Sequence, residues 1–278
     1  MSKGKKIAVI VICVILALAV VLPVGAFAFV FYIVPHFYDG EAIKANLSDH
    51  EAMYVSLEDY THKNAVFSKE TEKFETDTFE ITLPAGFELN TESGNDGIYA
   101  YKLKISDTEF ASVIISDPVF TPADKGDEEY KSAMRDEKAM LALLRITLGN
   151  SAKKAYGINL DSQYSYDLLV NSLNLDDFDT DNYHQKKLFH FFGISKSMAT
   201  GFLVANNAIY KMDTEEYKGF LCDRCRIDEE SGKETKMFSL NAYKNDNLWF
   251  PYTIMIMEKG DLLTEDDIYA IVNSFKVK

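Results

Sequence analysis

The stretch that decides the fold is TKMFSLNAYKNDNLWFPYTIMIM, residues 235–257. Apolar side chains alternate with others over 235–243 and again over 248–257, and the polar run Asn245-Asp246-Asn247 separates the two segments. Alternation with a period of two is typical of a β-strand, and a short Asn/Asp cluster is typical of a turn. The pattern therefore predicts two neighbouring strands joined by a tight turn.

The same alternation extends toward the N-terminus. Turn residues at 213–215 and 230–233 bound the two nearest segments, and Pro84 ends the first strand of the series. Together with the two strands of residues 235–257, these segments predict a mostly antiparallel sheet. Beyond the quoted stretch, strands are predicted at 79–83, 98–105, 110–116, 202–212 and 217–228.

Helical periodicity appears in four places. Residues 127–148 carry apolar side chains near 3.6-residue spacing after an acidic first turn, with Gly149 as the predicted C-cap. Weaker helical patterns cover 162–178 and 187–198, and a capping box at Thr264–Asp267 opens a last amphipathic helix. The expected fold class is α+β, an antiparallel sheet flanked by helices.

The N-terminus predicts a membrane segment. No charged side chain occurs between Ile7 and Val34, and three lysines precede this run, so the positive-inside rule keeps residues 1–6 in the cytoplasm. We expect one transmembrane signal anchor at 7–34; the alternative is secretory cleavage after Ala28. Residues 35–73 are interpreted as a spacer, and 74–278 as an exported domain with a helical insertion at about 150–200.

The charge excludes a nucleic-acid role. The chain carries a net charge of −14, and without the three N-terminal lysines 26 basic side chains face 43 acidic ones. A surface of this sign repels phosphate backbones, and we expect it to repel anionic lipid head groups as well. The predicted N-terminal helix makes the membrane one expected partner, and an envelope protein is the other.

Two short motifs carry a resemblance to a known family. Phe79–Phe87, a strand that runs into a Pro-Ala-Gly-Phe turn, opens the domain, and Ile268–Val277, a short helix that ends in Ser-Phe-Lys-Val, closes it. The pair resembles the PsbP-like fold over about 70–278, with 150–200 as a departure. The resemblance implies an α/β/α sandwich around an antiparallel sheet, used mostly as a binding or accessory module, and it supplies no catalytic residues.

Cys222 and Cys225 have the spacing of a redox dithiol or of half a zinc site. Their flanks predict a strand, on which residues three apart point to opposite faces. The pattern places Cys225 with Leu221 and Ile227, and Cys222 with Phe220. Buried thiols, a structural disulfide and redox or metal chemistry remain as alternatives.

Two further features suggest sites. Asp177, Asp179 and Asp181 alternate like the start of a calcium loop, although Asn182 and Leu188 replace the glycine and the glutamate that such a loop requires. The dense apolar run around Phe189, Phe191 and Phe192 is either core or an exposed patch that docks a partner.

The sequence contains no nucleophile elbow, zincin, P-loop or dinucleotide-binding motif, and it predicts no catalytic residue and no cofactor. We therefore expect a membrane-anchored, extracytoplasmic binding or accessory module that is not an enzyme. The alternatives are a thiol-redox or other enzyme that uses Cys222 and Cys225, and a calcium- or ligand-sensing ectodomain.

Overall fold

A computed structural model describes residues 33–48, 51–90, 97–106, 109–120, 122–199, 205–227 and 234–278. The predicted anchor at 7–34 lies outside these ranges except for its last two residues. Within them, no helix combines the length and the apolar character needed to cross a bilayer.

A large mixed sheet organises the described part of the chain. Its eight strands follow the spatial order β1-β7-β8-β9-β10-β6-β5-β4. All neighbours are antiparallel except β1 and β7, which are parallel. The strands are β1 (Leu57–Asp59), β4 (Glu88–Leu89), β5 (Ile98–Lys104), β6 (Phe110–Ser116), β7 (Ala205–Asp213), β8 (Tyr217–Ile227), β9 (Glu234–Lys244) and β10 (Tyr252–Lys259).

A smaller sheet and one helix cover the first face of the large sheet. Strands β2 (Thr71–Glu75), β3 (Phe79–Pro84) and β11 (Lys276–Val277) form a three-stranded antiparallel sheet, and α5 (Glu265–Ser274) lies beside it. Alternate residues of β6, β9 and β10 pack with buried side chains of β3 and α5 into one core. The capping box at Thr264 and Asp267 is present, as the sequence predicts.

Helices cover the opposite face. They are α1 (Gly40–Ser48), α2 (Glu128–Tyr156), α3 (Gln163–Asn171) and α4 (Tyr183–Ala199), and their apolar faces form a second core. Helix α3 contacts the sheet directly: the ring of Tyr164 stacks on Phe220 of β8, and the Tyr243 hydroxyl of β9 donates to Asp167 at 2.6 Å. The fold is thus mixed α+β, with a large sheet between helices.

One helix boundary differs from the sequence prediction. Helix α2 continues past Gly149 to Tyr156, and its C-cap is Gly157, whose φ of 71° lies in the left-handed region that favours glycine. Buried side chains on both sides of Gly149, such as Leu148 and Ala152, pack in the helical core. This packing outweighs the low helix propensity of one glycine.

The interpretation of residues 35–73 as a spacer is wrong. Leu47 of α1 is buried in the helical core, β1 extends the large sheet beside β7, and β2 pairs with β3 along its length. Tyr54 and Tyr60 are buried as well. Weak periodicity concealed this role, because each element is too short to show a pattern and is stabilised by long-range contacts.

Candidate functional site

A cleft of about 490 Å³ opens at the β1 edge of the large sheet. It lies between β1, β7, the β7–β8 turn and the C-terminal end of α5, and we call it the α5 cleft. Its lining consists of Asp59, Tyr60, Lys63, Lys211, Met212, Asp213, Thr214, Glu216, Tyr217, Asn273, Phe275 and Lys276.

The floor of the α5 cleft is apolar and rigid. Tyr60, Met212, Tyr217 and Phe275 are all buried, and the rings of Tyr217 and Phe275 meet edge to face at 5.9 Å between centroids. Tyrosine is neutral at physiological pH at its ordinary pKa, and burial raises the pKa of the phenols of Tyr60 and Tyr217 further. The floor therefore offers aromatic surface with neutral hydrogen-bonding groups.

Asn273, in the last turn of α5, holds one wall of the cleft. Its side-chain oxygen accepts from the Tyr60 hydroxyl at 2.8 Å, and its amide nitrogen donates to the carbonyl of His62 at 2.8 Å. The His62 ring stacks on Tyr269 with 3.8 Å between centroids and an interplanar angle of 8°. These contacts fix the segment after β1 against α5.

The β7–β8 turn forms the other wall. The backbone N–H and the hydroxyl of Thr214 both donate to the carbonyl of Tyr217, at 2.9 and 2.8 Å, and the N–H of Tyr217 donates back to the hydroxyl at 3.0 Å. Three bonds between two residues keep this turn in one conformation. The cleft is thus bounded by ordered backbone on both sides.

Charges of both signs surround the opening. Asp59 and Lys211 lie opposite each other on β1 and β7, and most of the other charged side chains at the rim are exposed. Exposed groups of this kind steer and orient a ligand more than they add affinity. The charged rim consists of Asp59, Lys63, Lys211, Asp213, Glu216 and Lys276.

The chemistry of the α5 cleft suits binding. Of the residues that line it, none is a cysteine, a serine or a histidine, and its only aliphatic hydroxyl, on Thr214, is engaged in the turn. An apolar floor under a rim of both signs fits a ligand that is itself apolar in part and carries charges of both signs.

A second cavity of about 200 Å³ lies between α3 and the large sheet. Asp167 of α3 lines it beside Cys222, Arg224 and Asn241. Burial raises the pKa of the Asp167 carboxyl, although hydrogen bonds from Tyr243 and other side chains oppose the shift. Since these bonds attach α3 to β9, we interpret Asp167 as a structural residue.

The two cysteines lie on opposite faces of β8. Cys222 is opposite Ser239 and Cys225 opposite Lys236 in an unbroken register with β9. Cys222 faces α3 and is buried, whereas Cys225 lies at 3.5 Å from the side-chain oxygen of Asn207 and is partly exposed. Three residues of strand span about 10 Å, and a disulfide needs Cα atoms within about 7 Å. The proposed Cys222–Cys225 disulfide is therefore wrong.

This arrangement predicts unequal thiol reactivity. In the native chain we expect iodoacetamide to modify Cys225 and to leave Cys222 unmodified until the domain unfolds, because burial excludes the reagent from Cys222. Peptide mapping by mass spectrometry separates the two sites from Cys13. Equal rates in the native chain, or a peptide that contains both cysteines in a disulfide, would contradict the assignment.

The three aspartates of the suggested calcium loop do not form a metal site. Asp177 accepts from Asn174 at 3.1 Å, and Asp179 accepts from the backbone N–H of Asp181 at 3.0 Å. In the described part of the chain, no group of three or more His, Cys, Asp or Glu side chains is placed to hold a metal ion. The carboxylates of Asp177 and Asp179 accept hydrogen bonds within the loop itself. The loop also lacks the glycine and the bidentate glutamate of a calcium site.

The suggested aromatic patch belongs to the helical core. Phe189 and Phe192 are buried; the ring of Phe189 stacks on Phe178 at 4.2 Å, and the ring of Phe192 meets Tyr166 edge to face. Phe191 is partly buried against the same core. The hypothesis of an exposed docking patch at these residues is therefore wrong, because α1, α3 and the segment at 174–178 cover them.

The sequence did not reveal the α5 cleft. Tyr60 and Lys63 fall in the segment predicted to be a spacer, while Lys211 and Asn273 are more than 100 residues further along. The parallel pairing of β1 with β7 and the hydrogen bonds of Asn273 with Tyr60 and His62 bring these parts together. One part of the cleft lies in a segment that the sequence analysis had singled out. This part is Asn273–Lys276, within the C-terminal motif of the resemblance.

Comparison with known proteins gives limited information. No protein-family model and no curated protein matches the sequence. Among solved structures, the Ran-binding protein Mog1p of Saccharomyces cerevisiae is similar over 76% of this chain and 96% of its own, with 11% identity and a TM-score of 0.35.

Proposed function

We propose that this protein is a membrane-anchored extracytoplasmic binding module, without catalytic activity, whose ligand site is the α5 cleft. The observation that carries the proposal is the buried aromatic floor of Tyr60, Tyr217 and Phe275 beneath a charged rim, in a cleft of about 490 Å³. Ligand sites in proteins have this size and this mostly apolar lining with a few oriented polar groups.

The ligand that fits best is an extended peptide segment of another envelope protein. Strand β1 is only three residues long and lies at the edge of the large sheet, directly beside the cleft. An edge of this kind offers backbone hydrogen-bonding groups to an added strand. A peptide also supplies apolar side chains for the floor and charges of both signs for the rim.

The membrane anchor is supported by the uncharged run from Ile7 to Val34 and the lysines before it. The described chain begins with the last two residues of this run, and Ile33 is 48% and Phe37 80% exposed. Exposed apolar side chains at this point are consistent with a domain that starts at the bilayer surface.

We also propose that the domain has the PsbP-like fold. The two motifs of the resemblance are neighbours in space: Phe79 and Glu80 of β3 pair with Val277 and Lys276 of β11. Their pairing closes the small sheet over the α5 side of the core. This contact between the two motifs supports the proposal beyond sequence pattern alone.

Photo-crosslinking in intact cells tests the binding function. With a photoreactive phenylalanine analogue in place of Lys63, we expect a crosslinked protein adduct that becomes weaker when Lys211→Glu reverses a second rim charge. The matched control is the same analogue at Val66, which is 72% exposed on the same segment but outside the cleft. Equal adducts at both positions, or none at position 63, would count against the cleft as the ligand site.

Carbonate extraction and external protease test the anchor separately. We expect the full chain to remain with the membrane after carbonate treatment and its domain to be degraded by protease added to spheroplasts. A chain released by carbonate, or protected from the protease, would contradict the anchored, exported topology. Neither result bears on whether the cleft binds a peptide.

A further inference from the structure

The outer face of helix α2 is apolar in its middle. Ala139, Met140, Ala142, Leu143 and Ile146 are exposed, with 47% of the Met140 side chain, 51% of Leu143 and 61% of Ile146 accessible. The opposite face of the same helix buries Met134, Leu141 and Leu148. A helix that contributes one apolar face to a core and exposes a second apolar patch is typical of an interaction surface.

Basic side chains lie on both sides of this patch. Between Lys131 and Lys154 the helix has six basic residues and two acidic ones, Asp136 and Glu137, in a chain whose net charge is −14. The basic side chains are all exposed. Lys131 pairs with Glu128 at 2.7 Å and Arg135 with Asp136 at 3.7 Å, so part of the N-terminal charge is compensated. The six are Lys131, Arg135, Lys138, Arg145, Lys153 and Lys154.

The basic residues before the patch form one wall of a shallow groove. Lys125, Lys131, Arg135 and Lys138 line it together with Tyr130 and Met134. The ammonium group of Lys138 lies 5.9 Å from the centroid of the Trp249 ring. Exposed cationic side chains thus lie next to the N-terminal end of the apolar patch on α2.

Helix α2 belongs to the layer that is tied to the start of the domain. The His36 ring stacks on Tyr183 of α4 at 4.2 Å, and the Tyr38 ring stacks on His190 at 4.0 Å. Next to Tyr183 on α4, the His184 ring nitrogen lies 3.1 Å from the hydroxyl of Ser151 on α2. The residues that follow the predicted anchor are therefore held against α4, and α4 is held against α2.

We infer that the outer face of α2 docks on a bilayer surface that contains anionic phospholipid. Exposed apolar side chains enter the boundary between head groups and acyl chains, and flanking lysines and arginines contact lipid phosphates. The net negative charge predicts that the domain as a whole repels anionic lipids. The outer face of α2 differs from this average because its charged side chains are mostly basic. The inference concerns the orientation of the domain and does not depend on the ligand of the α5 cleft.

Depth-dependent fluorescence quenching tests the inference on the full chain. Leu143→Trp is reconstituted into vesicles of brominated phosphatidylcholine with or without phosphatidylglycerol, so that only the charge differs, and the parent chain, whose single tryptophan is Trp249, gives the background. We expect strong quenching of the introduced tryptophan in anionic vesicles. Ile105→Trp, at a site 65% exposed in the parent, is the matched control and should be quenched little.

Removal of basic side chains from α2 is a second test in the same quenching experiment. Because each basic side chain near an anionic surface contributes about five-fold in affinity, Lys153→Ala with Lys154→Ala should lower the docked-to-undocked ratio about 25-fold. Salt at about 1 M should have a similar effect, since it shortens the Debye length to about 3 Å. Lys102→Ala with Lys104→Ala removes the same charge from β5 and should leave the quenching unchanged.

Three outcomes would overturn the inference. The first is equal quenching at positions 143 and 105; the second is quenching that ignores both salt and the loss of Lys153 and Lys154. The third is a Leu143→Trp emission shift that depends on protein concentration without lipid quenching, which would assign the face to a second copy of the chain. If carbonate extracts the chain, so that the anchor fails, the same quenching measured after adding purified chain to preformed vesicles still decides the case.

Discussion

Gly219→Ala is expected to unfold the domain or to lower its free energy of unfolding by about 3 kcal/mol or more, as for backbone overpacking in a core. Gly219 lies in β8 near the middle of the large sheet, opposite Met212 of β7 and Ala242 of β9. A Cβ atom at this position would overlap the carbonyl oxygen of Asn241 and come within 3.3 Å of the Ala242 Cα atom.

The clash is severe because its partner is backbone. The overlapping oxygen belongs to the neighbouring strand, so relief requires β8 and β9 to separate, and their ladder of hydrogen bonds would weaken with them. A collision with the end of a flexible side chain would cost far less. We therefore expect the effect of one methyl group here to exceed that of most single substitutions.

Thermal and denaturant unfolding, followed through Trp249, measures the effect in the full chain. The matched control is Gly126→Ala, where an added Cβ meets nothing within 4 Å and which should change stability by less than about 0.5 kcal/mol. If Gly219→Ala proves too unstable to purify, its protease-resistant fraction in cells relative to Gly126→Ala gives the comparison. Equal stability of the two variants would refute the prediction.

Asp267→Asn is expected to lower the free energy of unfolding by about 3 kcal/mol, since it leaves buried donors without acceptors. Asp267 is buried in the first turn of α5, where its carboxylate accepts from the backbone N–H and the hydroxyl of Ser68 at 2.7 and 2.8 Å. It also accepts from the N–H and the hydroxyl of Thr264 at 3.0 and 2.8 Å. An amide would turn an NH₂ group toward some of these donors.

The same residue gives a pH dependence. Burial alone would raise the pKa of Asp267, but the four hydrogen bonds from Ser68 and Thr264 outweigh it and hold the pKa below its usual range. A carboxyl with a lowered folded-state pKa stabilises the fold above its unfolded pKa of about 4, and this contribution is lost as the pH falls through the folded value. The stability gap between the parent and Asp267→Asn should therefore narrow below about pH 4.

Denaturant unfolding at a series of pH values measures that gap. Asp266→Asn is the matched control, because Asp266 is the neighbouring acid in the same helical turn and is exposed. It should leave stability nearly unchanged at every pH. A constant gap between the parent and Asp267→Asn down to pH values well below 4, or equal effects at the two positions, would show that the carboxylate does not act as assigned.

Elements with strong local periodicity could be predicted from the sequence. Strand β6 begins and ends at the predicted residues, β3 and β5 agree within one residue, and the capping box at Thr264 starts α5 as expected. These segments each bury one face of a regular element, so their residue pattern carries the information. The opposite faces of Cys222 and Cys225 followed from the same alternation.

Elements without such periodicity could not be predicted. Strand β1 has three residues, of which Glu58 and Asp59 are exposed, and nothing in its sequence separates it from a linker. Its position is determined by β7, which follows it by about 150 residues. The α5 cleft depends on this pairing, and so it too was invisible in the sequence.

By itself, the sequence determined the net negative charge and the strands and helices with strong periodicity, because each depends on residue type and short-range spacing. Only the tertiary structure decided which of the suggestive residues are functional candidates. It placed Phe189 and Phe192 in the core and separated the two cysteines, and it assembled the α5 cleft from three distant segments. The physical reason is that burial and proximity are set by long-range packing, which local patterns do not encode.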